Sequence, residues 1–228
     1  MIKMDLEFIG WLTPRWKVLF REMPDSLDNC TVLDVGCGQG VLGFLIRHNY
    51  RDDDVKIYGI DGYKPYITAL DKMNVYDDVC CNRIDAIRNF NKSFDYTFCL
   101  DVLEHNDKDY SLFLLETMHL LTKNKLFVTV PHEEPLHNEK RRNKWLKWRD
   151  ESDNKYNGHI SSWGVHDFTG DITVFDNRKD MTKSIRVFDS IRRKLLGVDW
   201  DEKHILAVLD GLREQPLHNG RNVINGQI

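Results

Sequence analysis

The chain has 228 residues, 41% of them hydrophobic and 30% charged, and a formal net charge of −4. That length and balance suit one α/β domain with additions, able to bury a core without a disulfide or metal staple. They argue against a disulfide scaffold, a membrane span and a globally basic nucleic-acid binder. No apolar run approaches the ~18 residues of a span, and the net charge offers polyanions no general attraction. The five cysteines, Cys30, Cys37, Cys80, Cys81 and Cys99, are odd in number and show no CxxC spacing. Reduced thiols in a cytoplasmic protein, with no metal site, are the expectation. Residues 1–12 carry Lys3, Asp5 and Glu7 among their apolar side chains, unlike a signal-peptide core.

Apolar side chains at helical spacing run through residues 5–23, interrupted by Pro14, and predict one or two short helices. Strand and helix signals then alternate. Thr31–Val35 reads as a strand that ends in glycines, and 41–48 as a helix. Residues 55–60 read as a strand, 64–73 as a helix, 77–81 as a short strand and Phe94–Leu100 as a strand. Residues 107–121 read as a helix, and 125–130 as a strand stopped by Pro131. This rhythm predicts a doubly wound, mostly parallel sheet with helices on both faces. Beyond Pro131 the chain turns polar, aromatic and charged. One further strand is expected at 172–175, an amphipathic helix at 184–196 and another helix at 201–214.

The most informative string is Val32-Leu33-Asp34-Val35-Gly36-Cys37-Gly38-Gln39-Gly40. Three glycines at alternate positions follow a strand and precede a helix. Glycine serves where a chain turns sharply with positive φ or must approach a ligand closely. In an open parallel sheet such a turn lies at the strand ends where ligands bind. The spacing differs from the G-x-G-x-x-G of dinucleotide binders, whose turn delivers a pyrophosphate to a helix N-terminus. Asp61 closes the next strand, 21 residues after Gly40, where a carboxylate can accept from ribose hydroxyls. Asp85 follows the third strand. The run from Phe94 to His105, FDYTFCLDVLEH, carries an apolar strand into an acidic loop.

These pieces, in this order, resemble the class I S-adenosylmethionine (SAM)-dependent methyltransferases over residues 30–131. The resemblance implies a seven-stranded, mostly parallel α/β sheet, with N-terminal helices before it and a helical C-terminal extension after it. It implies SAM as cofactor. Asp34, Gly36, Cys37, Gly38 and Gly40 would then line the methionine part, and Asp61 would hold the ribose. Gly62 and Tyr63 would lie beside the adenine, Asp85 and Ala86 at its edge. Asp101 would face the SAM amino group or the acceptor. The expected organisation is N-terminal helices over 1–28, a SAM-binding domain over 29–178 and a helical extension over 179–228. Within the SAM-binding domain, residues 132–168 would form a lid or acceptor segment.

Asp101 and His105 are the catalytic candidates. A histidine titrating near neutrality can act as a general base. Against that, Glu104 and His105 can simply cap and pack the loop, because methyl transfer gains its rate chiefly from alignment. His132, Glu133, Glu134 and His137 lack the HExxH spacing of a metal site. Together with His159 and His166 they read better as surface or acceptor-pocket residues. The run 140–149 holds six basic residues and two tryptophans. It suits a solvated amphipathic helix, a grip on an anionic acceptor or a nucleic-acid contact. The first expectation is O- or N-methylation of a small molecule, with sugars and anionic metabolites the leading classes. Second comes a nucleic-acid or protein methyltransferase using residues 140–149, and third a non-catalytic SAM-binding subunit.

Overall fold

In a computed structural model of the protein, residues 14–132, 154–156, 158–176 and 203–211 are described. Seven strands form one sheet in the order β3-β2-β1-β4-β5-β7-β6. They are β1 (Thr31–Val35), β2 (Lys56–Asp61), β3 (Asp78–Cys81), β4 (Phe94–Leu100), β5 (Thr122–Pro131), β6 (Asp171–Asp176) and β7 (Lys203–Asp210). Strands β1 to β5 pair in parallel. Strand β7 runs antiparallel to both of its neighbours. The order reverses between β1 and β4, so the loops after these two strands open a crevice at their C-terminal ends, where ligands bind in such sheets.

Helix α1 (Pro14–Glu22) begins at Pro14. A ring that fixes φ and lacks an N–H is well tolerated in a first helical turn. The proline that interrupts the periodic pattern in the sequence is thus the start of a helix. Helices α2 (Val41–Asn49), α3 (Lys64–Leu70) and α4 (Lys108–Leu121) follow β1, β2 and β4. Helix α4 is capped by Asp107, whose carboxylate accepts from the Asp109 amide at 3.0 Å.

Parallel strands covered on both faces need apolar side chains on both, and two buried clusters supply them. One gathers Trp16, Leu19, Val32, Ile57, Phe98, Phe127 and Leu206. Its centre is the stacked Phe98–Phe127 pair, with ring centroids 4.7 Å apart. The other gathers Leu33, Val35, Phe94, Leu126, Val128, Ile205 and Trp163. The alternation of neighbours such as Phe127 and Val128 between clusters is the period of two of a strand.

The helix expected over 201–214 is corrected: Lys203–Asp210 is strand β7. Its run from His204 to Leu209 is buried throughout, between β5 and β6. A short apolar run shows no helical period to distinguish it, and leucine and alanine favour helices only weakly. Burial on both faces overrides that preference. The sheet therefore continues beyond residue 178. The helix expected at 184–196 lies outside the described residues, as do residues 1–13 and the tail. Among the described residues, no helix is long and apolar enough to cross a membrane.

Candidate active site

The glycine turn after β1 is tied to β2 by backbone. The Gly36 and Cys37 amides both donate to the Ile60 carbonyl, at 2.8 and 3.1 Å. Its glycines serve different ends. A Cβ on Gly36 would stand 2.3 Å from Val102 in the loop after β4, so the two loops meet because that side chain is missing. At Gly38, with φ +53°, a Cβ would meet nothing closer than the Gly36 carbonyl at 3.9 Å. Gly38 thus faces open space, and its amide donates to Asp61 Oδ2 at 2.9 Å.

Asp61 also accepts from the Tyr63 amide through Oδ1, at 2.7 Å. Two backbone donors fix the plane of the carboxylate, and each oxygen keeps a lone pair for another hydroxyl. Beside it lies a cleft of about 240 Å³, lined by Gly36, Gly38, Asp61, Gly62, Tyr66, Asp101 and His105 among others. Six of the expected site residues are thereby brought together. The others take different places. Asp34 is buried behind the turn, accepting from the Tyr76 hydroxyl at 2.7 Å. Burial pushes its carboxyl up to about 7. Cys37 points into the apolar cluster under α2, and burial pushes its thiol far up. Gly40 caps α2. Tyr63 caps α3 and meets the Tyr66 ring edge-on at 4.8 Å; of these two, Tyr66 lines the cleft. Asp85 pairs with Arg83 at 3.4 Å, and Ala86 packs on the core from the same short 3-10 helix, Ile84–Asn89.

The opposite wall begins where β4 ends. Asp101 has φ +55°, a conformation few non-glycine residues adopt and one that clusters at functional sites. Its amide donates to the Thr129 carbonyl, and its Oδ1 accepts from the Thr129 hydroxyl at 2.8 Å. A 3-10 turn, Leu103–His105, follows. The segment after β5 closes onto this turn. The Ile160 and Ser161 amides both donate to the Glu104 carbonyl, at 2.8 and 3.1 Å. His105 Nδ1 lies 3.2 Å from the Gly158 carbonyl. Lys108 donates to the Ser162 carbonyl and to Asp167, both at 2.8 Å, and lies 3.5 Å above the Trp163 ring. Asn154 and Tyr156 complete the cleft lining. The described part of the segment expected at the acceptor side thus packs beside Asp101. The basic run 140–149 and residues Glu133, Glu134 and His137 lie outside the described residues.

Burial and the neighbouring His159 push His105 down to about 4. A bond from Nδ1–H to the Gly158 carbonyl leaves Nε2 with its lone pair. Glu104 is buried beside it, and His159 with it. Sequence reasoning missed Tyr66, Arg83, Asn106, Tyr110, Asn154 and Tyr156 as cleft residues. Tyr66 was within reach, one helical turn after Tyr63. Asn154 and Tyr156 carry no local signal, because their place depends on contacts about fifty residues away along the chain.

A family model described as a methyltransferase domain matches residues 26–183. No curated protein matches by sequence. Among solved structures, the cyclopropane synthase MmaA2 from Mycobacterium tuberculosis is similar with a TM-score of 0.60 at 13% identity, covering 92% of this chain and 87% of that one. A putative methyltransferase solved in complex with the Haloferax volcanii Trm112 activator gives 0.57 at 12% identity, covering 92% and 93%. The magnesium protoporphyrin IX methyltransferase from Synechocystis PCC 6803, solved with S-adenosylhomocysteine, gives 0.53 at 12% identity, covering 90% and 83%. At such identities the likeness carries the fold, and the match over residues 26–183 carries the family. The chain belongs to the methyltransferase-domain family and is a class I, SAM-dependent methyltransferase.

Proposed function

We propose that the enzyme methylates a small polar acceptor at oxygen or nitrogen. The observation that carries this reading is the make-up of the acceptor wall. Asp101, His105, Asn106, Tyr110, Asn154 and Tyr156 converge on the cleft, and among the described lining residues Arg83 is the single Lys or Arg. A phosphate backbone needs several cations to hold it, and a small, largely apolar cleft with a few convergent polar groups suits a metabolite-sized ligand better. In this reading Asp61 holds the ribose hydroxyls of SAM, Gly36 and Gly38 let its methionine part approach the backbone, and Tyr66 lies along the adenine.

The acceptor enters between Asp101 and Tyr156. Its lone pair attacks the methyl carbon in line with the sulfonium, the C–S bonding pair returns to sulfur, and S-adenosylhomocysteine leaves. The acceptor's proton passes to water. With its conjugate acid near 4, His105 is a weak base, and alignment supplies most of the rate. The five free cysteines fit a reducing, cytoplasmic setting.

The test is transfer of label from methyl-tritiated SAM into a mixture of small hydroxylated and amino metabolites, RNA and unfolded protein. Label in the small-molecule fraction is expected. Label confined to RNA or protein would overturn the reading in favour of a macromolecular acceptor gripped by residues 140–149.

A further inference from the structure

One group of side chains at the acceptor wall has chemistry that methyl transfer does not require. Glu104, His105 and His159 each offer one ligand-capable atom, and these atoms all lie within 4.8 Å of one another. His159 Nε2 stands 4.0 Å from Glu104 Oε1. That is beyond hydrogen-bond length; two ligands of a tetrahedral ion at about 2.0–2.2 Å each stand about 3.3–3.6 Å apart, so binding an ion would draw these side chains inward by roughly half an ångström. The two imidazoles meet edge-on, with centroids 5.0 Å apart, so they do not stack.

The group is held in place by the backbone. Glu104 and His105 sit in the 3-10 turn after β4. His159 comes from 54 residues further on and is fixed by the two amides, Ile160 and Ser161, that donate to the Glu104 carbonyl. The Ser161 and Ser111 hydroxyls both donate to the Leu103 carbonyl, at 3.2 and 2.8 Å, and the Trp163 indole donates to the Ser161 hydroxyl at 3.0 Å. His105 has the outer contact usual for a metal-bound imidazole: Nδ1 faces the Gly158 carbonyl, leaving Nε2 as donor. Two imidazoles and one carboxylate suit divalent transition ions rather than magnesium or calcium.

We propose that Glu104, His105 and His159 bind a divalent transition-metal ion at the acceptor end of the cleft. Three protein ligands leave a coordination position open. Because His105 also lines the cleft, that position is within reach of an acceptor oxygen. This last step rests on the small-molecule reading above, whereas the binding of the ion does not. The ion would orient a hydroxyl or carboxylate oxygen of the acceptor and lower the pKa of a bound hydroxyl. Its charge would also offset the burial of the Glu104 carboxylate.

The test is a titration of the metal-stripped full chain with Zn²⁺ and Co²⁺, with Mg²⁺ for comparison and no acceptor present. Saturable binding of one Zn²⁺ or Co²⁺ per chain, tighter than Mg²⁺, is expected. The Co²⁺ absorption spectrum should carry ligand-field bands of nitrogen and oxygen donors and no thiolate charge transfer. E104Q and H159Q should each weaken Zn²⁺ at least about tenfold while S-adenosylhomocysteine affinity stays unchanged. H166A, at an exposed histidine, should change neither. No saturable binding, a thiolate spectrum, or full affinity in both E104Q and H159Q would overturn the site. Should either variant lose its fold, the wild-type Co²⁺ spectrum still decides. Failure of the metal site leaves the labelling experiment untouched, and label in RNA or protein leaves the titration untouched.

Discussion

The two walls of the cleft are built on different principles. The cofactor wall is backbone held by backbone: the turn after β1 hangs from the Ile60 carbonyl, and Asp61 is gripped by the amides of Gly38 and Tyr63. Its parts lie within two successive strand–helix units. The acceptor wall joins pieces more than fifty residues apart, Glu104 to Ile160 and Lys108 to Ser162, partly through side chains that could be exchanged singly. The first wall is a shape any SAM-binding chain of this fold must make. The second is where chemistry can vary without disturbing the first. Substitutions on either side should therefore separate cofactor binding from acceptor turnover.

The largest effect is expected at Gly38. Valine there must adopt φ +53° and project into the open cleft. Such strain costs on the order of 1–3 kcal/mol before any clash with ligand. G38V should abolish SAM binding in calorimetry while the protein remains folded by circular dichroism. Normal affinity would place the cofactor elsewhere.

A smaller effect of the opposite kind is expected at Lys108, which joins α4 to Ser162, Asp167 and Trp163. K108M keeps the apolar stem and removes the charge. It should raise the KM for the acceptor several-fold and lower stability by about 1 kcal/mol, given the partial exposure of the pair. S-adenosylhomocysteine affinity should not change. A shift in cofactor affinity as large as that in KM would mean that the walls are coupled.

The smallest effect on ligand binding concerns Asp34, behind the cofactor wall, where the change is one of stability with pH. Burial raises its carboxyl to about 7, the Asp61 charge adding to the rise and the Tyr76 hydroxyl opposing it. Its folded value lies above its unfolded one. The stability linked to it is thus fully present below about pH 4 and is lost as pH rises through 7. D34N keeps an oxygen for Tyr76 and carries no charge. In thermal melts the stability of D34N relative to wild type should increase between pH 4 and 8, by on the order of 10 °C. A constant difference would mean that Asp34 is ionised in the fold throughout.

The same contrast explains what could be read in advance. The cofactor wall is local, and its signals are residue types with one physical use each: glycines at alternate positions, an acid closing the next strand. Asp34 and Cys37 show the limit of that reading. They lie in the motif, yet alternation along β1 and the turn sends their side chains behind the cleft. Strand β7 was mistaken for a helix because a buried apolar run shows no period, and only its neighbours β5 and β6 decide its form. The adjacent Glu104 and His105 were legible as a pair. Their third member, His159, is one of several histidines in a long segment. Only the Ile160 and Ser161 amides, donating to the Glu104 carbonyl, single it out.

The most direct test of the cofactor wall is the S-adenosylhomocysteine dissociation constant of D61A beside that of wild type, measured by calorimetry at matched thermal stability. A carboxylate holding two ribose hydroxyls makes charge-assisted hydrogen bonds. Its loss should weaken binding by about 1.5–3 kcal/mol, roughly tenfold to a hundredfold. An unchanged constant in a folded D61A protein would contradict the account, because the cofactor would then not lie on Asp61.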